Sequence, residues 1–332
     1  MKKKYLVLNL RLFDTVMNAT TSATEGNDLS ADMKTYYSDY LIDLAEPKLV
    51  HDQFGQKHPI PKNGGKTVEF RKYDNLPRAT EPLVEGVTPD GQPLNVSTIT
   101  ATVNQYGGWI QLSDVLLLTA IDNNMVQATR KLGSQAGDTL DYVTREVING
   151  GTSVQYAEGQ VTSRDQLTKD HKLTVDCIKR AARYLETQDA EKIDGSYVGI
   201  IHPDCKYDLM KDPEWMDMNK YTTPELAWSG EIGKIAGVRF VESSRAKVFA
   251  GEGAGGIDVY STLIIAADAY GVTEVTGGGL QHIVKQLGSA GAADPLNQRA
   301  SAGWKAIKTA VRLVEQYMVR IETASTYDFG AN

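Results

Sequence analysis

The stretch that decides the fold is residues 122–149, DNNMVQATRKLGSQAGDTLDYVTREVIN. Its apolar and small residues recur at spacings of three and four, the period of one helical face. The members of this face are Met125, Thr129, Leu132, Ala136, Leu140, Val143 and Val147. The sequence Asn149-Gly150-Gly151 ends the pattern. At about 1.5 Å per residue, the pattern predicts an amphipathic spine helix on the order of 42 Å long.

Two strand-like runs precede this helix, residues 66–73 (KTVEFRKY) and residues 97–106 (STITATVNQY). Both alternate in polarity and are rich in β-branched and aromatic residues, which is typical of β-strands. Prolines and glycines recur between them without an apolar pattern. We therefore predict a long two-stranded hairpin. Because an isolated hairpin is marginally stable in water, we expect it to lie on another subunit.

Charge is segregated along this hairpin. Basic residues dominate residues 57–72, and acidic residues dominate residues 74–90. A solvated loop accounts for this pattern as well as a functional arm does, so both interpretations stay open. In the second interpretation, the charges complement those of a neighbouring copy and set the register of the contact. The candidate contact residues are Lys62, Lys66, Arg71, Glu81, Glu85 and Asp90.

Helices and strands alternate after the spine helix, which predicts an α/β domain. The expected elements are a helix at 173–187, strands at 197–201, 237–241 and 262–266, and a short helix that begins at His202-Pro203. The last segment, residues 304–324, fits either period. Its β-branched residues favour two paired strands with a turn near Glu315-Gln316. At the other end, residues 1–28 indicate an extended polar arm, and Ser30 caps a helical pattern.

Composition excludes several classes of protein. The chain has 332 residues and a net charge of −7, which argues against a DNA-binding regulator. Cys177 and Cys205 lack a CxxC partner, and the five histidines lack metal-binding spacing, so we predict no disulfide framework, metal site or cofactor. Asn9 and Arg11 interrupt the first apolar run too early for a secretory signal. No apolar stretch has the length of a membrane helix.

Residues 251–256, GEGAGG, formally match the dinucleotide-binding pattern GxGxxG. That fold requires a helix directly after the glycines, because the helix N-terminus holds the pyrophosphate. The residues that follow, IDVYSTLII, indicate a strand instead. We predict a β-hairpin loop that binds no nucleotide, and a nucleotide-dependent enzyme is the less favoured alternative.

The order of these parts resembles the major capsid protein of tailed bacteriophages, which has the HK97-like fold. Residues 8–13 (LNLRLF) resemble the start of many phage capsid-assembly proteins, and residues 64–70 (GGKTVEF) resemble the start of the extended loop. Residues 294–299 (DPLNQR) and 303–305 (GWK) are similar to the final return into the peripheral domain. The resemblance covers nearly the whole chain and depends on the order and spacing of the motifs together.

The resemblance implies an α+β fold with an N-terminal arm, an extended β-hairpin loop, a peripheral domain with a long spine helix, and an axial α/β domain. The implied bounds are 1–45 for the arm, 46–55 for a connection, 56–110 for the extended loop, 111–169 for the peripheral domain with its spine helix at 122–149, 170–290 for the axial domain, and 291–332 for the return to the peripheral domain.

The resemblance also implies self-assembly as hexamers and pentamers into an icosahedral shell around double-stranded phage DNA, with no catalysis. The implied partners are portal and scaffolding proteins, decoration proteins in some relatives, and the DNA through weak non-specific contacts. A short segment precedes the hairpin, so we expect a separate scaffolding protein. The implied location is the virion, after assembly in the host cytoplasm. An encapsulin-like compartment, which encloses an enzyme instead of a genome, shares the fold and stays the alternative.

Overall fold

The computed structural model describes residues 49–59, 65–73, 76, 78–80, 82, 85–86, 88, 90–119, 124–157, 161–219, 233–274, 279–289 and 294–327. The expected arm at 1–45, with the helical pattern after Ser30, lies outside the described residues, as do Lys62 and Glu81. Within the described ranges, no helix combines the length and apolar character that crossing a membrane requires.

The described chain forms three sheets and five α-helices. The strands are β1 (Gln56–Lys57), β2 (Thr67–Tyr73), β3 (Val96–Thr102), β4 (Asn104–Ser113), β5 (Val154–Tyr156), β6 (Tyr197–Ile201), β7 (Lys234–Ile235), β8 (Val238–Glu242), β9 (Val248–Phe249), β10 (Val259–Ile265), β11 (Tyr270–Glu274), β12 (Gln281–Lys285), β13 (Arg299–Arg312) and β14 (Met318–Thr323). The helices are α1 (Asp114–Thr119), α2 (Asn124–Asn149), α3 (Val175–Thr187), α4 (Pro203–Met210) and α5 (Pro213–Asn219).

The first sheet is built around β13. One edge of β13 pairs antiparallel with β4, and its other edge pairs with β12 and then with β11, which also carries β1. Helix α2, the predicted spine helix, packs across one face of this sheet, and its presence is confirmed over the described residues. The predicted face is wrong in the last turns, where Thr144 and Ile148 are buried and Val143 and Val147 are only half-buried. The shared core consists of Leu132, Ala136 and Leu140 from the helix and Ala302, Trp304 and Ala306 from β13. Gly108 permits this close approach, because a Cβ atom there would collide with the Gln135 side chain.

The second sheet has the strand order β5-β14-β10-β6-β8-β7, with β9 also paired to β10. All residues of β6 and β10 are buried, as is typical of the central strands of a covered sheet. Helix α3 covers this sheet and contributes Ile178 and Leu185 to a core that includes Ile264 and Ile321. The predicted α/β elements are confirmed, with bounds that differ by a few residues.

The closing segment contains two strands and a 3₁₀ turn at Glu315–Tyr317, as predicted. The expectation that the two strands pair with each other is wrong, because β13 lies in the first sheet and β14 lies between β10 and β5 in the second. Two antiparallel connections between the sheets explain this. Leu313 N donates to Ala269 O and Ala266 N donates to Tyr317 O, both at 2.9 Å. The chain therefore passes between the sheets twice, side by side, after β10 and after β13.

The predicted hairpin is confirmed as β2 and β3, which pair from Thr67 opposite Thr102 to Tyr73 opposite Val96. The second predicted strand is interrupted at Val103, whose N donates to Lys66 O at 2.9 Å. After this residue the chain changes partner, and β4 joins β13.

The glycine-rich residues 251–256 lie in the loop between the antiparallel strands β9 and β10. A 3₁₀ turn at Ala254–Gly256 leads directly into β10. The predicted loop and the strand after it are confirmed, so the helix that a dinucleotide fold requires does not follow these glycines.

Candidate functional site

The described contacts between the hairpin and the first sheet lie at the root of the hairpin. The buried ring of Phe70 lies over Gly271, where a Cβ atom would collide with it, and makes a T-shaped contact with the His58 ring at 5.1 Å between ring centroids. Farther from the root, the described apolar residues Leu76, Leu94 and Val96 are all exposed. This part of the hairpin therefore presents apolar surface to whatever lies beside it.

Four of the six predicted contact residues are described, and all four are exposed. Lys66 and Arg71 lie at the root, while Glu85 and Asp90 lie in the connection between β2 and β3. Arg71 Nε is 3.7 Å from Glu69 Oε1 in its own strand, and an exposed pair of this kind contributes at most about 1 kcal/mol. Among the described residues, no ion pair joins these four candidates to one another.

A second exposed surface was not predicted from the sequence. On the face of the first sheet opposite the spine helix, Trp109 of β4 and Ile283 of β12 flank Gly303 of β13. Trp109 is 68% exposed and Ile283 is 40% exposed. In β4 the residues that face the helix core are Tyr106 and Ile110, so the alternation places Trp109 on the outer side. An aromatic residue at an outward position was the signal available in the sequence.

This outer face is also basic. Strands β4, β12 and β13 contain no acidic residue, although the whole chain carries a net charge of −7. By the pairing register, exposed Lys285, Arg299 and Lys305 lie on the same side as Trp109. We refer to Trp109, Ile283, Lys285, Arg299 and Lys305 as the outer face. It combines apolar and positively charged surface, as residues at protein interfaces often do.

The described residues offer little support for catalysis. They contain no cluster of three metal-ligating side chains. Complete burial raises the pKa of the Cys205 thiol to about 12, which leaves it protonated and unreactive. His202 Nδ1 accepts a hydrogen bond of 3.2 Å from Asp204 N and so caps α4, which is a structural role.

Comparison with protein families finds a match to the phage capsid protein model over residues 96–306, more than half of the sequence. The chain belongs to the phage capsid protein family. The expectation of a tailed-phage major capsid protein is confirmed. A comparison with the curated proteins finds no match.

Solved structures agree with this assignment at the level of the fold. This capsid protein is similar to the capsid of cyanophage P-SCSP1u, with a TM-score of 0.65 and 14% identity over 82% of this chain and 87% of that chain. It is similar to the capsid of Ralstonia phage GP4, with a TM-score of 0.64 and 15% identity over 82% and 88%. It is also similar to the capsid of cyanophage Pam1, with a TM-score of 0.65 and 15% identity over 82% of this chain and 89% of that chain. The protein has the HK97-like capsid fold and is a shell subunit of the virion.

Proposed function

We propose that copies of this chain assemble as hexamers and pentamers into an icosahedral shell that encloses double-stranded phage DNA. The observation that supports this most directly is the pair of exposed surfaces within one capsid-family subunit. The apolar hairpin beyond Phe70 and the outer face around Trp109 each present large apolar side chains to solvent. Exposed surface of this kind marks interaction sites in soluble proteins.

The charges of the two surfaces are complementary. Exposed Glu85 and Asp90 lie near the hairpin tip, and exposed Lys285 and Lys305 lie on the outer face. We propose that the hairpin of one copy lies on the outer face of the next. Apolar contacts with Trp109 then supply most of the affinity, since burying a large apolar side chain contributes about 1.5–3 kcal/mol. The charged pairs at the rim set the register.

The division into domains belongs to this proposal. The first sheet with α2 corresponds to a peripheral domain, and the second sheet with α3 corresponds to an axial domain. With this assignment, most elements of the implied segments 111–169, 170–290 and 291–332 lie in the domain proposed for them. Strands β11 and β12 of the 170–290 segment lie in the first sheet. Strand β5 of the 111–169 segment and β14 of the 291–332 segment lie in the second sheet.

The remaining partners follow from enclosing a genome. A portal protein and a scaffolding protein would complete the particle, with decoration proteins as in some relatives, and we place assembly in the host cytoplasm. Contact with DNA would be weak and non-specific, because the subunit carries a net charge of −7. We assign no catalytic role to the chain and no cofactor.

Electron microscopy of the purified, expressed protein tests the proposal. We expect closed shells or capsomers at micromolar concentration, and light scattering that reports only a stable monomer would contradict it. The nuclease-protected contents of particles from infected cells distinguish the alternatives. Phage DNA supports the capsid, whereas an enclosed enzyme without a genome supports an encapsulin-like compartment.

Nucleotide titration tests the enzyme alternative. Because residues 251–256 lead into β10 and provide no helix N-terminus, calorimetry with ATP and with NAD should show no saturable binding. Micromolar binding that the substitution Gly253→Ala abolishes would contradict the structural role of this loop. A melting curve of the variant is the necessary control, because a Cβ atom at residue 253 would collide with Ile257.

A further inference from the structure

Residues 49–58 lead from the amino-terminal side of the chain to the root of the hairpin. Their regular backbone pairing is limited to the two residues of β1 and to a bond of 3.1 Å from His58 N to Val272 O. This segment nevertheless buries two polar residues. His51 is 0% exposed, and Asp52 is also buried.

His51 is bound to the spine helix. Its backbone N and its ring Nδ1 each lie 2.8 Å from an oxygen of the buried Asp141 carboxylate and donate to it. The backbone oxygen of His51 accepts a hydrogen bond from the Tyr270 hydroxyl of β11. One residue of the segment is therefore fixed to both the helix and the first sheet.

Asp52 is bound at a second point. Its carboxylate accepts hydrogen bonds from the Thr144 hydroxyl, one turn beyond Asp141, and from Lys308 Nζ of β13. Lys308 is 2% exposed and also donates to Leu140 O at 3.1 Å. We refer to His51, Asp52, Asp141, Thr144 and Lys308 as the polar latch. It joins the segment, the spine helix and the central strand of the first sheet.

A buried ionic network is an unusual way to attach a segment, because apolar side chains of the same size often give equal or greater stability. Apolar contacts tolerate several arrangements of similar packing, whereas each hydrogen bond of the latch requires one donor, one acceptor and one geometry. The latch therefore specifies a single position of residues 49–58 more strongly than it stabilises the subunit.

This position is transmitted to the hairpin through close contacts. Gly55 lies against the Tyr270 ring, β1 pairs with β11, and His58 makes a T-shaped contact with Phe70 at the root. On its other side the hairpin continues into β4, which the ten-residue ladder with β13 holds in place. The direction of the hairpin thus depends on two supports, and the amino-terminal support is the latch.

We propose that the polar latch is a positioning device that fixes the direction in which the hairpin leaves the subunit. It thereby determines which surface of a neighbouring copy the hairpin reaches. The second statement rests on the proposed function, whereas the first concerns the subunit alone.

The test measures the distance between spin labels on the hairpin, at Gly91→Cys, and on the exposed side of the spine helix, at Tyr142→Cys. Gly91 has open space around it and Tyr142 is exposed, while the native Cys177 and Cys205 are buried and will not react. Full-length subunits are measured before assembly. In the parent protein we expect one narrow distance distribution.

Two latch variants separate position from stability. Asp52→Asn leaves Lys308 buried without its ion pair, so we expect a lower melting temperature and loss of the narrow distribution. Adding Lys308→Met removes the unpaired charge, so the melting temperature should recover while the distribution stays broad. The matched control is Arg245→Met, which removes an exposed ion pair of 2.9 Å to Asp138 on the same helix and should leave the distribution narrow.

Recovery of both quantities in the double variant would show that the pair only contributes stability, and would overturn the proposal. A narrow distribution in both latch variants, or equal broadening in the Arg245→Met control, would overturn it as well. Hydrogen exchange on the parent chain gives an independent measurement that needs no variant. The His51 amide, which donates to Asp141 Oδ1, should exchange as slowly as amides in the middle of the spine helix, and rapid exchange of this amide would contradict the proposed role of the latch.

Failure of the proposed function is seen elsewhere. If electron microscopy shows no shells of the parent chain while the label distances behave as expected, the latch positions the hairpin but has no role in assembly.

Discussion

Trp109 and Trp304 lie on neighbouring, paired strands but on opposite faces of the first sheet, so replacing each with Ala should separate assembly from folding. Trp304 is 3% exposed, packs among Leu132 and Ala136, and donates from Nε1 to Gln135 Oε1 at 3.1 Å. Truncating such a core side chain costs about 3–5 kcal/mol, through lost burial and the cavity left behind. That is a large part of the roughly 5–15 kcal/mol that stabilises a typical domain.

Trp109 has no such role in the subunit. Because its side chain is 68% exposed, Trp109→Ala should change the free energy of unfolding by no more than about 0.5 kcal/mol. It removes the largest apolar side chain of the outer face, so shell formation should fall sharply. The reverse is expected of Trp304→Ala, which should lower shell yield only because fewer subunits are folded.

Urea unfolding of dilute, unassembled subunits, followed by far-ultraviolet circular dichroism, measures the free energy of unfolding. Sedimentation of shells measures assembly. Trp304→Phe is the control for ring burial without the indole N–H, and it should lose less stability than Trp304→Ala. If both Ala variants lose stability equally, Trp109 belongs to the subunit core. If Trp109→Ala assembles like the parent protein, the outer face is not a contact surface.

Three further predictions concern charge, the chain ends and pH. Reversing Lys62, Lys66 and Arg71 to Glu should lower shell yield while the melting temperature stays nearly constant. Equal losses of shell yield and of thermal stability would place the hairpin in the subunit core. Deleting residues 1–28 should leave folded subunits that assemble poorly, whereas deleting residues 301–332 removes central strands of both sheets and should cause aggregation, as circular dichroism and sedimentation will report. Burial raises the pKa of Glu146, but hydrogen bonds and charges from Lys247 and Arg145 outweigh it and lower the pKa below the ordinary value. Its contribution should be present at neutral pH and lost as the pH falls below the ordinary glutamate range, and Glu146→Gln should remove that part of the pH dependence of melting.

Two features that define the fold were readable in the sequence because they depend on local periodicity. The spine helix follows from the spacing of Leu132, Ala136 and Leu140, and these residues do form its buried face. The hairpin follows from the alternation of residues 66–73 and of the run that begins at Ser97. A period of 3.6 or of 2 is a property of the backbone, so it appears in the sequence wherever one face is buried.

The partners of the strands were decided only by the tertiary structure. Residues 304–324 were predicted as two strands, but nothing in their sequence assigns β13 to one sheet and β14 to the other. The same limit applies to Val103, where alternation continues while the strand changes partner. Strand pairing depends on which distant edges and faces the whole chain can bury together. Local alternation predicts a strand but does not predict its partner.

The candidate surfaces divide in the same way. Sequence alone indicated the charged hairpin, because a run of like charges is visible without a structure. It gave no indication of the polar latch, because Lys and Asp are usually exposed residues. Lys308 is buried only because Asp52, 256 positions away in the chain, comes to lie beside it. Burial of a charge depends on a partner brought by the fold, so only the tertiary structure could decide it.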